Sequence, residues 1–166
     1  AKILGQNMER MGVANALVTN EHPQRLAEKY PGFFDRVLID APCSGEGMFR
    51  KDDIAIKEWS LENVLHCAQR QKGILEHAVT ALRPGGYIVY ATCTFSLEEN
   101  EMVVDDFLQK HPEFELIPAH DAVRLYTNDG ISFDGCKCHN LYDARRFYPH
   151  RSRGEGQFMA VLHDTR

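Results

Sequence analysis

The sequence predicts an α/β fold in which a parallel sheet is covered by helices. Residues 34–40 end in an apolar run and residues 87–93 form a second one, as strands buried on both faces do. Between them, residues 61–82 keep the i, i+3, i+4, i+7 apolar rhythm of one long amphipathic helix, with Ser60 as its N-cap and the Arg-Pro-Gly-Gly of 83–86 as its end. Because strands joined by a helical crossover are parallel, we expect these two strands in one sheet.

The segments before the first strand predict two helices and one short strand. Apolar residues at helical spacing in residues 2–11, followed by Gly12, indicate a helix that ends at a glycine. Residues 16–18 are apolar and predict a short strand. Pro23 suits the first position of a second helix, which we expect to end before Pro31.

The segments after the second strand predict one more helix and two more strands. Ser96 and Glu99 have the spacing of a capping box, which predicts that a helix starts there. Residues 114–117 and 157–162 have the composition of strands. No helical pattern lies between these two strands, so we expect them to pair antiparallel.

Composition indicates one globular domain, or part of one. The 166 residues are 43% hydrophobic and 26% charged, and no window approaches the roughly 18 apolar residues of a membrane span. We therefore expect a cytoplasmic protein without a membrane segment, and a monomer. The net charge of -5 argues against binding a polyanion with the whole surface, so any nucleic-acid contact must be local. Five cysteines without an export signal predict reduced thiols.

Two of the cysteines follow predicted strands, where an open parallel sheet binds its ligands. Cys43 lies three residues after Asp40, at the end of the first strand, and Cys93 ends the second strand. If the strands are neighbours, two thiols and one carboxylate meet in one cleft. The helix predicted after Ser96 favours a Cys93 thiolate through its dipole, whereas the acidic residues that follow oppose it, so the direction of the pKa shift stays open.

The residues around both cysteines resemble those of a known family. They are Asp-Ala-Pro-Cys-Ser-Gly-Glu-Gly-Met-Phe-Arg-Lys at 40–51 and Ala-Thr-Cys-Thr-Phe-Ser at 91–96, followed by Glu-Glu-Asn-Glu at 98–101. Together these motifs resemble the RNA cytosine-C5 methyltransferases of the RsmB/RsmF (NOP/SUN) family, in particular the bacterial RsmF-like enzymes that act on 16S ribosomal RNA. The Arg-Pro-Gly-Gly of 83–86 is common to many methyltransferases and adds little.

This resemblance implies a fold and a cofactor. The family has the class I S-adenosylmethionine-dependent methyltransferase fold, a Rossmann-like α/β sheet. Against that pattern, residues 1–166 correspond to the C-terminal portion of the catalytic domain, lacking the first two strands and the Gly-rich cofactor loop, with a C-terminal antiparallel strand pair. We therefore expect these residues alone to bind S-adenosylmethionine weakly and to be inactive. The cofactor contacts implied by the family are Asp40, Pro42 and either Asn20 or Glu21, of which Glu21 is favoured.

The resemblance also implies a role for each catalytic residue. Adding a thiolate to C6 of cytosine turns the ring into an enamine, whose C5 can attack the methyl group of a sulfonium. By resemblance, Cys93 forms this covalent adduct, and Cys43 assists its breakdown and the release of the RNA. Asp40 is implied between the cofactor and the base.

A stretch at 141–156 mixes arginine with aromatic residues, which suits phosphate contact and base stacking. Together with the basic end of the first cysteine motif, it gives the predicted RNA contacts, which are Arg50, Lys51, Arg145, Arg146, His150 and Arg151. Ribosomal RNA is the favoured substrate, and transfer RNA is the alternative.

Three other functions stay open on the sequence alone. The first is an inactive RNA-binding fragment of the same family. The second is a cysteine hydrolase, which needs a histidine beside Cys93, with the candidates His66, His77 and His150. The third is a zinc site at 136–139, completed by Cys67 or His150. Its Cys-Lys-Cys-His spacing is unlike that of structural zinc sites, so we predict no metal.

Overall fold

One mixed sheet of six strands organises the computed structural model, which describes all 166 residues. The strands are β1 (Phe34–Asp40), β2 (Leu82–Thr92), β3 (Phe114–Ile117), β4 (Asn128–Asp129), β5 (Arg145–Phe147) and β6 (Gln157–Asp164). The helices are α1 (Lys2–Arg10), α2 (Pro23–Lys29), α3 (Asp53–Glu58), α4 (Leu61–Ala81), α5 (Glu101–Lys110) and α6 (Asp121–Arg124). The sheet order is β1-β2-β6-β5-β4, and β3 also pairs with β6. No helix is long and apolar enough to cross a membrane.

The pairing of the strands follows the sequence prediction. β1 and β2 are parallel, with Arg36 opposite Tyr87 and Asp40 opposite Ala91. β6 is antiparallel to β2 on one edge, and on its other edge β3 pairs with its C-terminal half and β5 with its N-terminal end. The predicted antiparallel pair of C-terminal strands is therefore confirmed.

Helices α4 and α5 cover one face of this sheet. Ser60 caps α4 as predicted, since its hydroxyl accepts a hydrogen bond from the backbone N–H of Asn63 at 3.0 Å. Leu75 of α4 packs into one core with Ile88 of β2. The opposite face is more open, and Leu38 of β1 is 73% exposed. Helices were expected to cover both faces of the sheet, and in this chain they cover one of them.

Two local predictions were wrong. Residues 16–18 form no strand, because no neighbouring strand pairs with them, and Leu17 is 82% exposed. The helix expected at Ser96 begins at Glu101 instead. Glu99 cannot close a capping box with Ser96 because its side chain is buried, where its carboxylate accepts a hydrogen bond from the Ser44 backbone N–H.

No pattern in the sequence predicts α6, β4 or β5. They contain four, two and three residues respectively, which is too short to display a period of burial. β5 is held in place by its hydrogen bonds to β6 and by the ion pair that Arg146 forms with Glu101.

Arg145 and Arg146 begin β5 and are each only 2% exposed. Arg146 forms a two-pronged ion pair with Glu101 of α5, in which Nε donates to one carboxylate oxygen at 2.6 Å and Nη2 donates to the other. Arg145 donates through Nε to the hydroxyl of Thr127 at 2.9 Å and also pairs with Asp129. This placement corrects the expectation that both arginines contact RNA, because a buried guanidinium with engaged donors offers no surface to a phosphate.

The pair of Arg146 and Glu101 gives a test of this correction. Arg146→Met should lower the free energy of unfolding by about 3–5 kcal/mol, because it leaves a buried carboxylate without its cation. Removing both charges, in Arg146→Met with Glu101→Gln, should recover part of that loss. Chemical denaturation measures both changes. A single variant as stable as the wild type would show that the ion pair does not hold β5.

Candidate active site

The register of β1 and β2 brings the two cysteine motifs together. Asp40 lies opposite Ala91, and the backbone N–H of Ala41 continues the ladder by donating to Ala91 O at 2.9 Å. Beyond this point the sulfur atoms of Cys43 and Cys93 are 3.3 Å apart. The expected meeting of two thiols at the carboxyl ends of neighbouring parallel strands is therefore present, and the Asp40 carboxylate shares their cleft.

The two thiols have opposite acidities. When Cys93 is a thiolate, the S–H of Cys43 is the donor in the hydrogen bond between the two sulfurs, and this contact lowers the pKa of Cys93 to about 7. The same contact and burial raise the pKa of Cys43 well above the ordinary value for a thiol. Burial of Cys93 and the negative charge of Asp40 act in the opposite direction on the Cys93 pKa, but the hydrogen bond outweighs them. Cys93 is therefore the thiolate of the pair, and Cys43 is its proton-bearing partner.

The cause of this acidity differs from the sequence argument. The helix dipole was expected to act from Ser96, but α5 begins at Glu101, and the largest cause of the lowered Cys93 pKa is the contact with Cys43. The neighbouring thiol supplies the stabilisation instead. A contact between residues that are 50 positions apart is not visible in local sequence.

Two glycines allow the first cysteine loop to reach β2. Gly45 has a positive φ of 76° and turns the chain into the short 3-10 helix Glu46–Met48. The backbone N–H of Gly47 then donates to Cys93 O at 2.9 Å. A Cβ at Gly47 would lie 2.2 Å from Gly156 O, so no other residue fits there without moving the backbone. The loop is consequently docked directly against the segment that carries Cys93.

A buried carboxylate fixes the loop from behind. Glu99 is fully buried, and it accepts hydrogen bonds from the Ser44 N–H at 3.1 Å and from the Gln71 side-chain amide at 2.8 Å. The same Gln71 nitrogen donates to Pro42 O at 2.9 Å. Burial raises the pKa of the Glu99 carboxyl, and these hydrogen bonds oppose that shift. The residues on both sides of Cys43 are thus held from α4 and from the turn before α5.

Buried hydroxyl and amide groups complete this support. The Ser44 and Thr94 hydroxyls are 2.9 Å apart, which joins the two cysteine motifs side chain to side chain. Asn100 donates to Thr94 O at 3.1 Å and accepts from the Thr92 hydroxyl at 2.6 Å. Sequence reasoning did not assign a role to Glu99, Gln71 or Asn100. One available signal was Gln71, a polar residue at a position where the apolar stripe of α4 predicts a hydrophobic one.

An open cleft of about 790 Å³ lies beside the thiol pair. Its walls are mostly apolar, and Asp40, Pro42, Cys43 and Cys93 all line it. Four further polar residues line it, which are His22, Arg36, Arg70 and His77. Of these, only His77 was singled out from the sequence, as a candidate partner of Cys93.

The two residues predicted to contact the adenosine do not line this cleft, although they directly precede a residue that does. Asn20 and Glu21 are exposed and directly precede His22, which does line the cleft. Glu21, just before α2, forms an ion pair with Arg25 of that helix at 3.1 Å. A contact from either residue to a bound ligand stays a prediction.

Four of the six predicted RNA contacts are on the surface. Arg50, Lys51, His150 and Arg151 are exposed, and none of them forms an ion pair. Arg50 and His150 line the same surface groove. The charges of Arg50, Lys51 and Arg151 are free to meet a polyanion, in contrast to those of the buried Arg145 and Arg146.

The surroundings of the two thiols argue against a cysteine hydrolase. Neither Cys43 nor Cys93 has a histidine among its hydrogen-bond partners, so the site lacks the base of a Cys-His pair.

The two cysteines at 136–139 do not form a metal site with their neighbours. Cys136 and Cys138 lie in a loop around Asp105, whose carboxylate accepts a hydrogen bond from the Cys138 backbone N–H at 2.6 Å. The chain has no group of three or more His, Cys, Asp or Glu side chains placed to hold a metal ion.

Several known proteins are similar to this chain in sequence and in fold. The ribosomal RNA small subunit methyltransferase F of Erwinia tasmaniensis is 36% identical over 97% of the chain, which spans 32% of that protein. A methyltransferase homolog protein from Pyrococcus horikoshii superposes with a TM-score of 0.81 at 27% identity, over 98% of the chain and 49% of that structure. NSun6 from Pyrococcus horikoshii, solved with SFG, gives a TM-score of 0.73 at 26% identity, over 99% and 38%.

The chain therefore spans between about a third and a half of the length of these relatives. Its α/β sheet has the class I S-adenosylmethionine-dependent methyltransferase fold that the motifs implied. The sequence also matches the family described as 16S rRNA methyltransferase RsmB/F over residues 1–163. Because this match covers almost every residue, the chain belongs to the 16S rRNA methyltransferase RsmB/F family.

Proposed function

We propose that this chain is the base-handling part of a cytoplasmic RNA (cytosine-5-)-methyltransferase that uses S-adenosylmethionine and acts on 16S ribosomal RNA. The observation that carries the proposal is the thiol pair, with sulfurs 3.3 Å apart and the pKa of Cys93 lowered to about 7. A thiolate available near neutral pH is what addition to C6 of cytosine requires. The family membership and the names of the relatives support the choice of reaction and RNA.

The two cysteines divide the work in this mechanism. The Cys93 thiolate adds to C6 of an unstacked cytosine, which forms a carbon–sulfur bond and makes C5 nucleophilic. After C5 is methylated, its proton leaves to a base, and the electron pair of that C–H bond expels the Cys93 sulfur from C6. The hydrogen bond from the Cys43 S–H stabilises the departing thiolate, just as it stabilises the free one. Cys43 thereby favours the breakdown of the adduct and the release of RNA.

The cleft beside the thiols is the candidate position for S-adenosylmethionine. Its lining is mostly hydrophobic, which suits an adenine ring, and Asp40, Pro42 and both cysteines lie in it. Asp40 would hold the cofactor together with Pro42, and the carboxylate of Asp40 also accepts hydrogen bonds from an amino group on the cytosine edge. When bound there, the cofactor supplies the methyl group as an electrophilic sulfonium.

RNA containing 5-fluorocytidine tests the roles of the two cysteines. When S-adenosylmethionine is present, C5 is methylated and then carries a fluorine that cannot leave as a proton does, so the wild-type protein at its natural full length should stay covalently bound to this RNA. Cys93→Ala should form no adduct, because it removes the attacking sulfur. Cys43→Ala should form an adduct even with ordinary cytidine, because breakdown is impaired. Denaturing gel electrophoresis measures the covalent fraction. Identical behaviour of the two variants would refute the division of labour.

The rate of adduct formation should depend on pH through Cys93. A thiol with a lowered pKa is a thiolate above that pKa, so the wild-type rate should rise through about pH 7 and fall off below it. Cys43→Ala removes the main cause of the lowered pKa and should move the profile to higher pH. Initial rates of adduct formation with 5-fluorocytidine RNA measure both profiles.

Cys67→Ala is the matched control for this profile, since Cys67 is a buried thiol of α4 outside the cleft. It should leave the midpoint of the rate unchanged. A Cys43→Ala profile that coincides with the wild type would mean that another group controls the acidity of Cys93.

A further inference from the structure

A second concave surface lies next to the thiols. This aromatic groove is lined by the rings of Phe49, Trp59, Phe95, Tyr148 and His150, and its volume is about 550 Å³. Phe95 is two residues after Cys93, and Gly47, which donates to Cys93 O, also lines the groove. The groove and the cofactor cleft therefore meet at the segment that carries the nucleophile.

Three rings of the groove form a stack whose outer end is exposed. The centroids of Phe95 and Tyr148 are 5.6 Å apart at an interplanar angle of 26°, and those of Tyr148 and His150 are 5.4 Å apart at 20°. His150 is exposed at the outer end of this series, and Trp59 is 42% exposed on the groove wall. Near-parallel rings at this spacing present flat apolar faces on which another planar ring can stack.

The groove is rigidly built. The carboxylate of Glu46 accepts hydrogen bonds from Trp59 Nε1 at 2.8 Å and from the Phe95 backbone N–H at 3.1 Å, which fixes two of the walls. A Cβ at Gly156 would lie 2.0 Å from the Phe95 ring, so this ring rests directly on the glycine backbone. Rings that are ordered before binding lose little conformational entropy when a ligand stacks on them.

The positive charges around the groove are complementary to the negative charges of a nucleic-acid backbone. Arg50 lines the groove, and Lys51 and Arg151 follow directly after residues that line it. All three side chains are exposed and make no ion pair, whereas the one lining carboxylate, Glu46, already accepts two hydrogen bonds. Aromatic faces bordered by unpaired cations are the usual surface for an unstacked base and its phosphate.

We propose that the aromatic groove stacks one nucleobase adjacent to the target cytosine and so holds the RNA strand open at the reacting base. This inference rests on the proposed function, because it takes its ligand to be the RNA that Cys93 attacks. Stacking on ring faces is tolerant of sequence, so the groove contributes affinity and positioning rather than choice of base.

An equilibrium binding cycle tests the groove without depending on catalysis. The protein at its natural full length is titrated with a short single-stranded RNA containing one cytidine, and with the same RNA carrying abasic riboses on both sides of that cytidine. Trp59→Ala should weaken binding of the intact RNA by at least roughly fivefold, in line with the loss of one stacked base. The same variant should bind the abasic RNA as the wild type does. Trp59→Phe, which keeps a ring, should recover most of the affinity.

Two matched variants separate stacking from other effects. Arg50→Ala should reduce the slope of log Kd against log salt concentration by about one, whereas Trp59→Ala should leave that slope unchanged. Tyr126→Ala removes an aromatic side chain that is 64% exposed and lies outside the groove, and it should leave RNA affinity unchanged.

The outcomes distinguish the groove from the proposed function. Equal affinity of the wild type and Trp59→Ala for the intact RNA would refute the proposal that the groove stacks a base. It would point to another occupant of the groove, such as a protein partner. At saturating 5-fluorocytidine RNA, Trp59→Ala should still form the covalent adduct. Absence of the adduct in the wild type would sink the proposed function, while the binding cycle would still decide whether a base stacks in the groove.

Discussion

The buried carboxylate of Glu99 is the contact on which the candidate site depends. It is fully buried and has no cation beside it, so its charge is balanced only by the Ser44 N–H and the Gln71 amide. Burying a carboxylate in this way costs free energy, which is why its pKa is raised. What the protein gains is geometry, because one side chain ties the Cys43 loop to α4 and to the turn before α5. This tie, together with the Gly47 and Ser44 contacts to the second cysteine motif, holds the loop in which the thiols lie 3.3 Å apart.

Much of the framework around this contact was predictable from sequence. Long periodic segments such as α4 and the parallel pairing of β1 with β2 follow from apolar spacing and from the crossover rule. That pairing alone places Cys43 and Cys93 at one sheet edge. Local patterns could not assign buried polar residues. Arg146 and its partner Glu101 are 45 positions apart, and each has the appearance of a surface charge until the fold joins them.

The same limit explains the error at Ser96. A serine and a glutamate three residues apart fit the pattern of a capping box, and in isolation this is the favourable local arrangement. In the folded chain the Glu99 side chain accepts hydrogen bonds from the Cys43 loop and from α4 instead. The helix therefore starts at Glu101 rather than directly after Ser96. Tertiary hydrogen bonds thus override a local signal at the site where the protein needs a fixed geometry.

The segment from Cys93 to Phe95 shows what this geometry achieves. Separate contacts engage its backbone atoms: Gly47 donates to Cys93 O, Asn100 donates to Thr94 O, Glu46 accepts from Phe95 N, and Arg146 donates to Phe95 O. A strand end held in this way cannot move toward its substrate without breaking buried hydrogen bonds. In the reaction proposed above, Cys93 is therefore positioned before RNA binds, and the unstacking of the target base has to come from the RNA. A stacking surface that begins at Phe95 is placed to hold the RNA in that changed form.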